Sequence, residues 1–120
     1  MVPLYPNLIS SSFEVKYIYS GTVFSRALKG PYLHTKRSGN LILLEGEILV
    51  VHQDKDSFCE DYLLPFTQIQ LLVNTGYCII GLGKQTSTFI NICNYAWEPG
   101  DNETIVPDFS NYDFKKWGIE

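Results

Sequence analysis

The sequence predicts a mainly β fold: an antiparallel β-sandwich or small barrel of about eight short strands, with a short C-terminal helix. Three observations carry this. Short β-prone runs recur at spacings of roughly 8–12 residues, with turn residues between them. Several runs alternate apolar and polar residues with period two. Two others, Leu41-Ile-Leu-Leu44 and Ile48-Leu-Val-Val51, are apolar on both faces and call for a sheet covered on both sides.

The elements follow in order. Residues 13–19 place Phe13, Val15, Tyr17 and Tyr19 on one face and Glu14 and Lys16 on the other. Ser20-Gly21 is a turn signal, and 22–28 is expected to return as the second strand of a hairpin. Gly30-Pro31 punctuates before a short extended piece at 32–35, and 36–40 is a polar turn cluster. The runs at 41–44 and 48–51 either form a tight hairpin or make one long strand bent at Gly46. Residues 53–57 read as an acidic loop. In 67–73, Thr67, Ile69, Leu71 and Val73 face inward and Gln68 and Gln70 outward; Pro65 counts against a helix over 62–73. Residues 77–82 and 88–95 are expected to pair as a hairpin around 83–87. Residues 110–117 suit a short helix with Ser110 as N-cap, Asp113 in the first turn, Lys115 and Lys116 in the last and Gly118 just beyond.

A chain of 120 residues, 45% hydrophobic and 18% charged, is expected to be one globular domain rather than a disordered segment. A domain of this size buries roughly two-thirds of its unfolded surface. Tyr outnumbers Phe, eight to seven, and Tyr suits half-buried positions where the ring is dry and the hydroxyl wet. The start lacks the basic and apolar regions of a signal peptide, and no run approaches the roughly 20 apolar residues of a membrane span. The reading is a cytoplasmic protein with its native N-terminus. Cys59, Cys78 and Cys93 are odd in number and widely spaced, which fits a reducing compartment. Cys78 and Cys93 would face each other if the last hairpin turned at Gln85-Thr86, though two small buried hydrophobes is the expected role.

No motif identifies a reaction. His34 and His52 are the only histidines, and no Cys or His pair has metal-ligand spacing, so no metal or cofactor site is expected. The Gly81-Leu-Gly-Lys-Gln-Thr stretch fails the P-loop pattern at Cys78 and Gln85. No nucleophile elbow is present, and Glu45 and Glu47 flank Gly46 as a solvent-facing turn would. No catalytic residue is assigned, and the expectation is a protein that is not an enzyme. Lys29, Lys36 and Arg37, with Tyr32 and His34 between them, have the character of a phosphate-contacting strip. A pI near 5.1 argues against nucleic acid.

The charge is sorted along the chain. Residues 1–44 balance to +4, 45–61 to −5, 62–97 to +1 and 98–120 to −4, for a net charge of −4. Acidic segments bordered by aromatics suit an interface with a basic protein. The partner-binding residues are expected to be Glu45, Glu47, Asp54, Asp56, Phe58, Glu60, Asp61 and Tyr62 in the first segment. In the second they are Trp97, Glu98, Asp101, Glu103, Asp108, Phe109 and Tyr112, with both segments on one side of the fold. The functional expectation is an immunity protein or antitoxin that neutralises a cationic toxin such as a nuclease, with no nucleic acid or membrane partner. The alternative is a small-ligand-binding barrel, with the aromatics lining a cavity, and behind it a small hydrolase.

Overall fold

The computed structural model describes residues 2–3, 14–96 and 98–119. Its strands are β1 (Val2–Pro3), β2 (Tyr17–Val23), β3 (Leu28–His34), β4 (Gly39–Glu45), β5 (Ile48–Asp54), β6 (Ser57–Leu63), β7 (Thr67–Leu71), β8 (Tyr77–Gly81), β9 (Ser87–Cys93) and β10 (Thr104–Ile105). They form two antiparallel sheets, ordered β1-β7-β4-β9-β2 and β10-β3-β8-β5-β6. This is the expected mainly β, sandwich-like architecture.

From β2 onward the chain changes sheet at every connection except the β5–β6 hairpin, where Asp54 pairs with Ser57 across a turn through Lys55 at φ 57°. The expected hairpin of 77–95 is therefore a crossing, and so is 41–51, where the sequence allows either a hairpin or one bent strand. β4 and β5 lie in opposite sheets, and so do β8 and β9. The glycines between them bend the chain from one layer to the other, which needs the same positive φ as a tight turn. Cys78 consequently pairs with Val51 and Cys93 with Gly39 and Tyr17, and both thiols are free and buried. Ser20-Gly21 is not a turn either: β2 runs straight through it. A Cβ on Gly21 would lie 2.5 Å from Phe89 Cζ, so the missing side chain makes room for a core ring.

Gly46 is the most constrained crossing. Its φ is +95°, and a Cβ there would lie 2.2 Å from Ser87 Oγ and 2.8 Å from Ser87 Cα. Ser87 Oγ accepts from Glu47 N and donates to Glu47 O, both at 3.0 Å, which pins the crossing. Gly46→Ala is expected to destabilise the fold by on the order of 2–4 kcal/mol, through backbone strain plus overpacking. Urea unfolding should show a lower midpoint at unchanged slope.

Alternation on β5 and β8 feeds two cores. Ile48, Val50 and Ile79 join Leu41, Leu43, Ile69, Leu71 and Phe89 between the sheets. Leu49, Val51, Cys78 and Ile80 face the other way, under Phe109, Tyr112 and Ile119 from the C-terminal segment. The two-sided apolar pattern of β5 is thus satisfied on both faces. The expected C-terminal helix is a single 3-10 turn, Phe114–Trp117, capped by Asp113 rather than Ser110 and ended by Gly118 at φ 78°. The packed positions 109, 112, 114, 117 and 119 do not follow a 3.6-residue period, so a longer α-helix would turn some of them away from the sheet. Among the described residues no helix is long and apolar enough to cross a membrane.

Candidate functional site

The second sheet's β3 is irregular: its register with β8 shifts between Lys29 and Tyr32, across Gly30-Pro31. Beyond that shift Tyr32 and His34, two residues apart, point to the same inward face. The edge strand β2 of the first sheet brings Tyr17 and Tyr19 opposite them. Between these strands the sandwich stays open, in a cleft of about 380 Å³ lined by Tyr17, Tyr19, Lys29, Tyr32, His34, Arg37, Tyr77 and Thr104. Tyr19 and Tyr32 also pack against the inter-sheet core, so the aromatic walls are anchored.

His34 is buried at the base of the cleft, 6% exposed. Its Nε2 lies 2.9 Å from Tyr77 Oη and 3.1 Å from Arg37 Nη2. Arginine only donates, so Nε2 is the lone-pair nitrogen and Nδ1 carries the proton. Nδ1–H then donates to Thr104 Oγ1 at 3.0 Å, with Glu103 Oε1 at 3.3 Å. The Thr104 hydroxyl in turn donates to Glu103 Oε1 at 2.8 Å. Backbone pairing holds this group in place: Thr104 sits opposite His34 in the β10–β3 ladder, and Thr35 N donates to Glu103 O at 2.7 Å.

Burial and the adjacent Arg37 cation push the His34 pKa down to about 4, against an opposing pull from Glu103. His34 is therefore neutral at neutral pH, with a defined tautomer. Burial also raises the Tyr77 pKa, so its hydroxyl stays a donor. Burial raises Tyr19 likewise, opposed by the bond that Asn91 Nδ2 donates to its hydroxyl at 3.1 Å. A neutral imidazole in a cleft lining, with a carboxylate behind one nitrogen and the lone pair of the other held by Tyr77 and Arg37, has the groups needed to take and return a proton once that lone pair is released.

None of the expected partner-binding residues lines this cleft. Phe109 and Tyr112 are buried rather than displayed, because they cover the outer face of the second sheet. Phe58 packs against both, with ring centroids 5.0 and 5.3 Å away. Glu60 accepts from the Tyr112 hydroxyl and pairs with Lys116 at 2.8 Å. Asp61 pairs with His52 at 2.8 Å, and Glu47 accepts from Tyr62. Asp101 holds Lys36 and Tyr95, and Asp108 accepts from Ser110 N. Glu45, Asp54, Asp56 and Glu98 are exposed. Trp97 lies outside the described residues. Glu103 is the sharpest departure: expected on an acidic surface, it is fully buried, because Arg37, His34 and Thr104 converge on it. Among the described residues no group of three His, Cys, Asp or Glu side chains is placed to hold a metal ion.

No protein-family model matches the chain, and no curated protein matches it in sequence. Solved structures do match in fold. A dTDP sugar isomerase from Desulfovibrio desulfuricans G20 superposes with a TM-score of 0.72 at 19% identity, over 84% of this chain and 70% of that one. ChmJ, a 3'-monoepimerase from Streptomyces bikiniensis solved with dTDP-quinovose, gives 0.72 at 17% identity, over 90% and 61%. The capsular polysaccharide assembling protein CapF from Staphylococcus aureus gives 0.71 at 16% identity, and the match spans 76% of this chain but only 28% of CapF. These likenesses correct the expectation of a toxin-neutralising immunity protein without enzymatic character. The fold is the one found in sugar-nucleotide isomerases and epimerases, and Lys29, His34 and Arg37 line one cleft of it.

Proposed function

We propose that the chain binds a nucleotide-linked sugar, or a closely similar small anionic ligand, in the cleft between β2 and β3, and that His34 exchanges a proton with it. One observation carries this reading: a His34–Thr104–Glu103 relay, with His34 and Glu103 buried and Thr104 at the surface, borders an aromatic-walled cleft that also holds Lys29 and Arg37. Aromatic walls suit a base or sugar face, cations suit a phosphate, and the neutral imidazole suits a carbon acid next to a carbonyl. The fold matches to proteins that act on dTDP-sugars support the ligand class by analogy only, since one fold hosts many functions. A cytoplasmic setting agrees with three free cysteines.

Calorimetry with dTDP and dTDP-glucose tests the binding step. Saturable binding is expected, weakened about tenfold in Tyr32→Ala by loss of an aromatic wall. For the chemical step, wild type should wash deuterium from D2O into a dTDP-linked keto sugar, and His34→Gln should bind but not exchange. Absence of saturable binding of either nucleotide at millimolar concentration would remove the reading.

A further inference from the structure

Arg37 enters the cleft from the loop between β3 and β4, with its side chain 12% exposed. Its hydrogen bonding is incomplete in two respects. Nε2 of His34 has a single lone pair, yet both Tyr77 Oη and Arg37 Nη2 are aimed at it. The Arg37–Glu103 pair is close, at 3.3 Å, but misaligned: Arg37 Nε and Glu103 Oε2 are buried and have no hydrogen-bond partner. A guanidinium fork engages an anion best through two parallel bonds, and this one makes none of that kind with Glu103. Its carbon lies 5.6 Å from the Tyr19 ring centroid, so an aromatic face supports it where it borders the cleft. Nε faces buried Glu103, whereas Nη2 is aimed at a lone pair that Tyr77 already takes, so an anion in the cleft would offer Nη2 a better acceptor.

We infer that Arg37 is the anion-recognition residue of the cleft, and that a phosphate group of the ligand draws its guanidinium off His34 Nε2, freeing that lone pair for the reacting proton. The inference rests on the small-ligand reading above and adds to it an order of events, since the base is released by the anion it accompanies. Lys29 lines the same cleft and is tethered to Thr22 O at 3.3 Å, which gives the anion a second cation. The negative charge facing the site is Glu103, which stays fully buried behind His34.

The test is histidine imidazole 15N NMR of the full chain, titrated separately with inorganic pyrophosphate, dTDP and uncharged thymidine. In wild type, pyrophosphate and dTDP should shift the His34 Nε2 resonance saturably. His52, which is not in the cleft lining, should stay still. Arg37→Gln should lose about tenfold or more in affinity for both anions while thymidine binding is unchanged. Arg37→Lys, which keeps the charge but not the fork, should fall between. A wild-type His34 resonance unmoved by pyrophosphate, which needs no variant to fold, would overturn the inference. So would an Arg37→Gln protein that binds both anions as tightly as wild type. If only the nucleotide-sugar reading is wrong, dTDP will bind no more tightly than pyrophosphate while the pyrophosphate response at His34 persists. If only the Arg37 role is wrong, dTDP will bind wild type and Arg37→Gln alike.

Discussion

Replacing Glu103 with alanine is expected to cost about 3–5 kcal/mol of folding stability, the range for removing one partner of a buried ion pair. Glu103 is fully buried and takes the Thr104 hydroxyl at 2.8 Å, with Arg37 Nε and His34 Nδ1 each 3.3 Å away. Without it, Arg37 keeps its charge in a site that is 12% exposed, and the Thr104 and His34 donors lose their acceptor. A domain's whole stability is roughly 5–15 kcal/mol, so the loss should appear as a fall in Tm of about 10–25 °C. Thermal unfolding at pH 7 provides the measurement. The double variant Glu103→Ala/Arg37→Met should recover part of the loss, because the penalty comes from the stranded cation rather than from the missing attraction. A single variant within about 0.5 kcal/mol of wild type would mean that water already reaches the pair.

The fold class was legible because period and composition report burial directly. The run from Ile48 to Val51 required a sheet covered on both sides, and the two cores on either side of β5 supply that; β4 contributes only to the core between the sheets. The connectivity was not legible. A glycine at positive φ marks where the chain bends, and the same signal serves a hairpin and a crossing between sheets. At Gly46 and Gly83 the choice is made by partners far away in sequence, such as Ser87 holding Glu47 across forty positions. β6 was obscured for a related reason: it is an edge strand, and edge strands carry charges such as Glu60 and Asp61 that resemble loop residues.

The site was half visible. Lys29, Lys36 and Arg37, with Tyr32 and His34 between them, stood out as a cationic, aromatic strip suited to phosphate, and the structure brings all but Lys36, which pairs with Asp101, into one cleft. Overall acidity argued against the strip, but net charge is a property of the whole surface. A binding cleft answers to its local charge. Tyr17, Tyr19 and Tyr77 gave no sign of their role, since they belong to strands brought together only by the weave between sheets. Glu103 was misread because a lone carboxylate in an acidic stretch looks solvated. Its burial depends on an arginine 66 residues earlier in the sequence.

Acid should expose the same cluster through His34. Its folded pKa lies at about 4, below the ordinary 6.5. Below pH 6.5 the unfolded chain therefore takes up a proton that the folded site resists, until the pH reaches about 4. Stability must then fall as the pH drops through that window and level off beneath it, by up to about 3 kcal/mol from this residue alone. Urea unfolding at pH 7, 5.5 and 4.5 should show the decline in wild type and a shallower one in His34→Gln, which has no imidazole to charge. The difference between the two slopes isolates His34 from the carboxylates Glu60, Asp101 and Asp108, whose pKa values lie below their usual range and act in the same direction at lower pH. Equal slopes would place the acid response elsewhere. The depressed pKa also bears on function: an imidazole held this far below neutrality has its lone pair available but is a weak base. Loss of the nearby Arg37 charge to a bound anion would raise its basicity only once a ligand is in the cleft, which keeps the empty site inert.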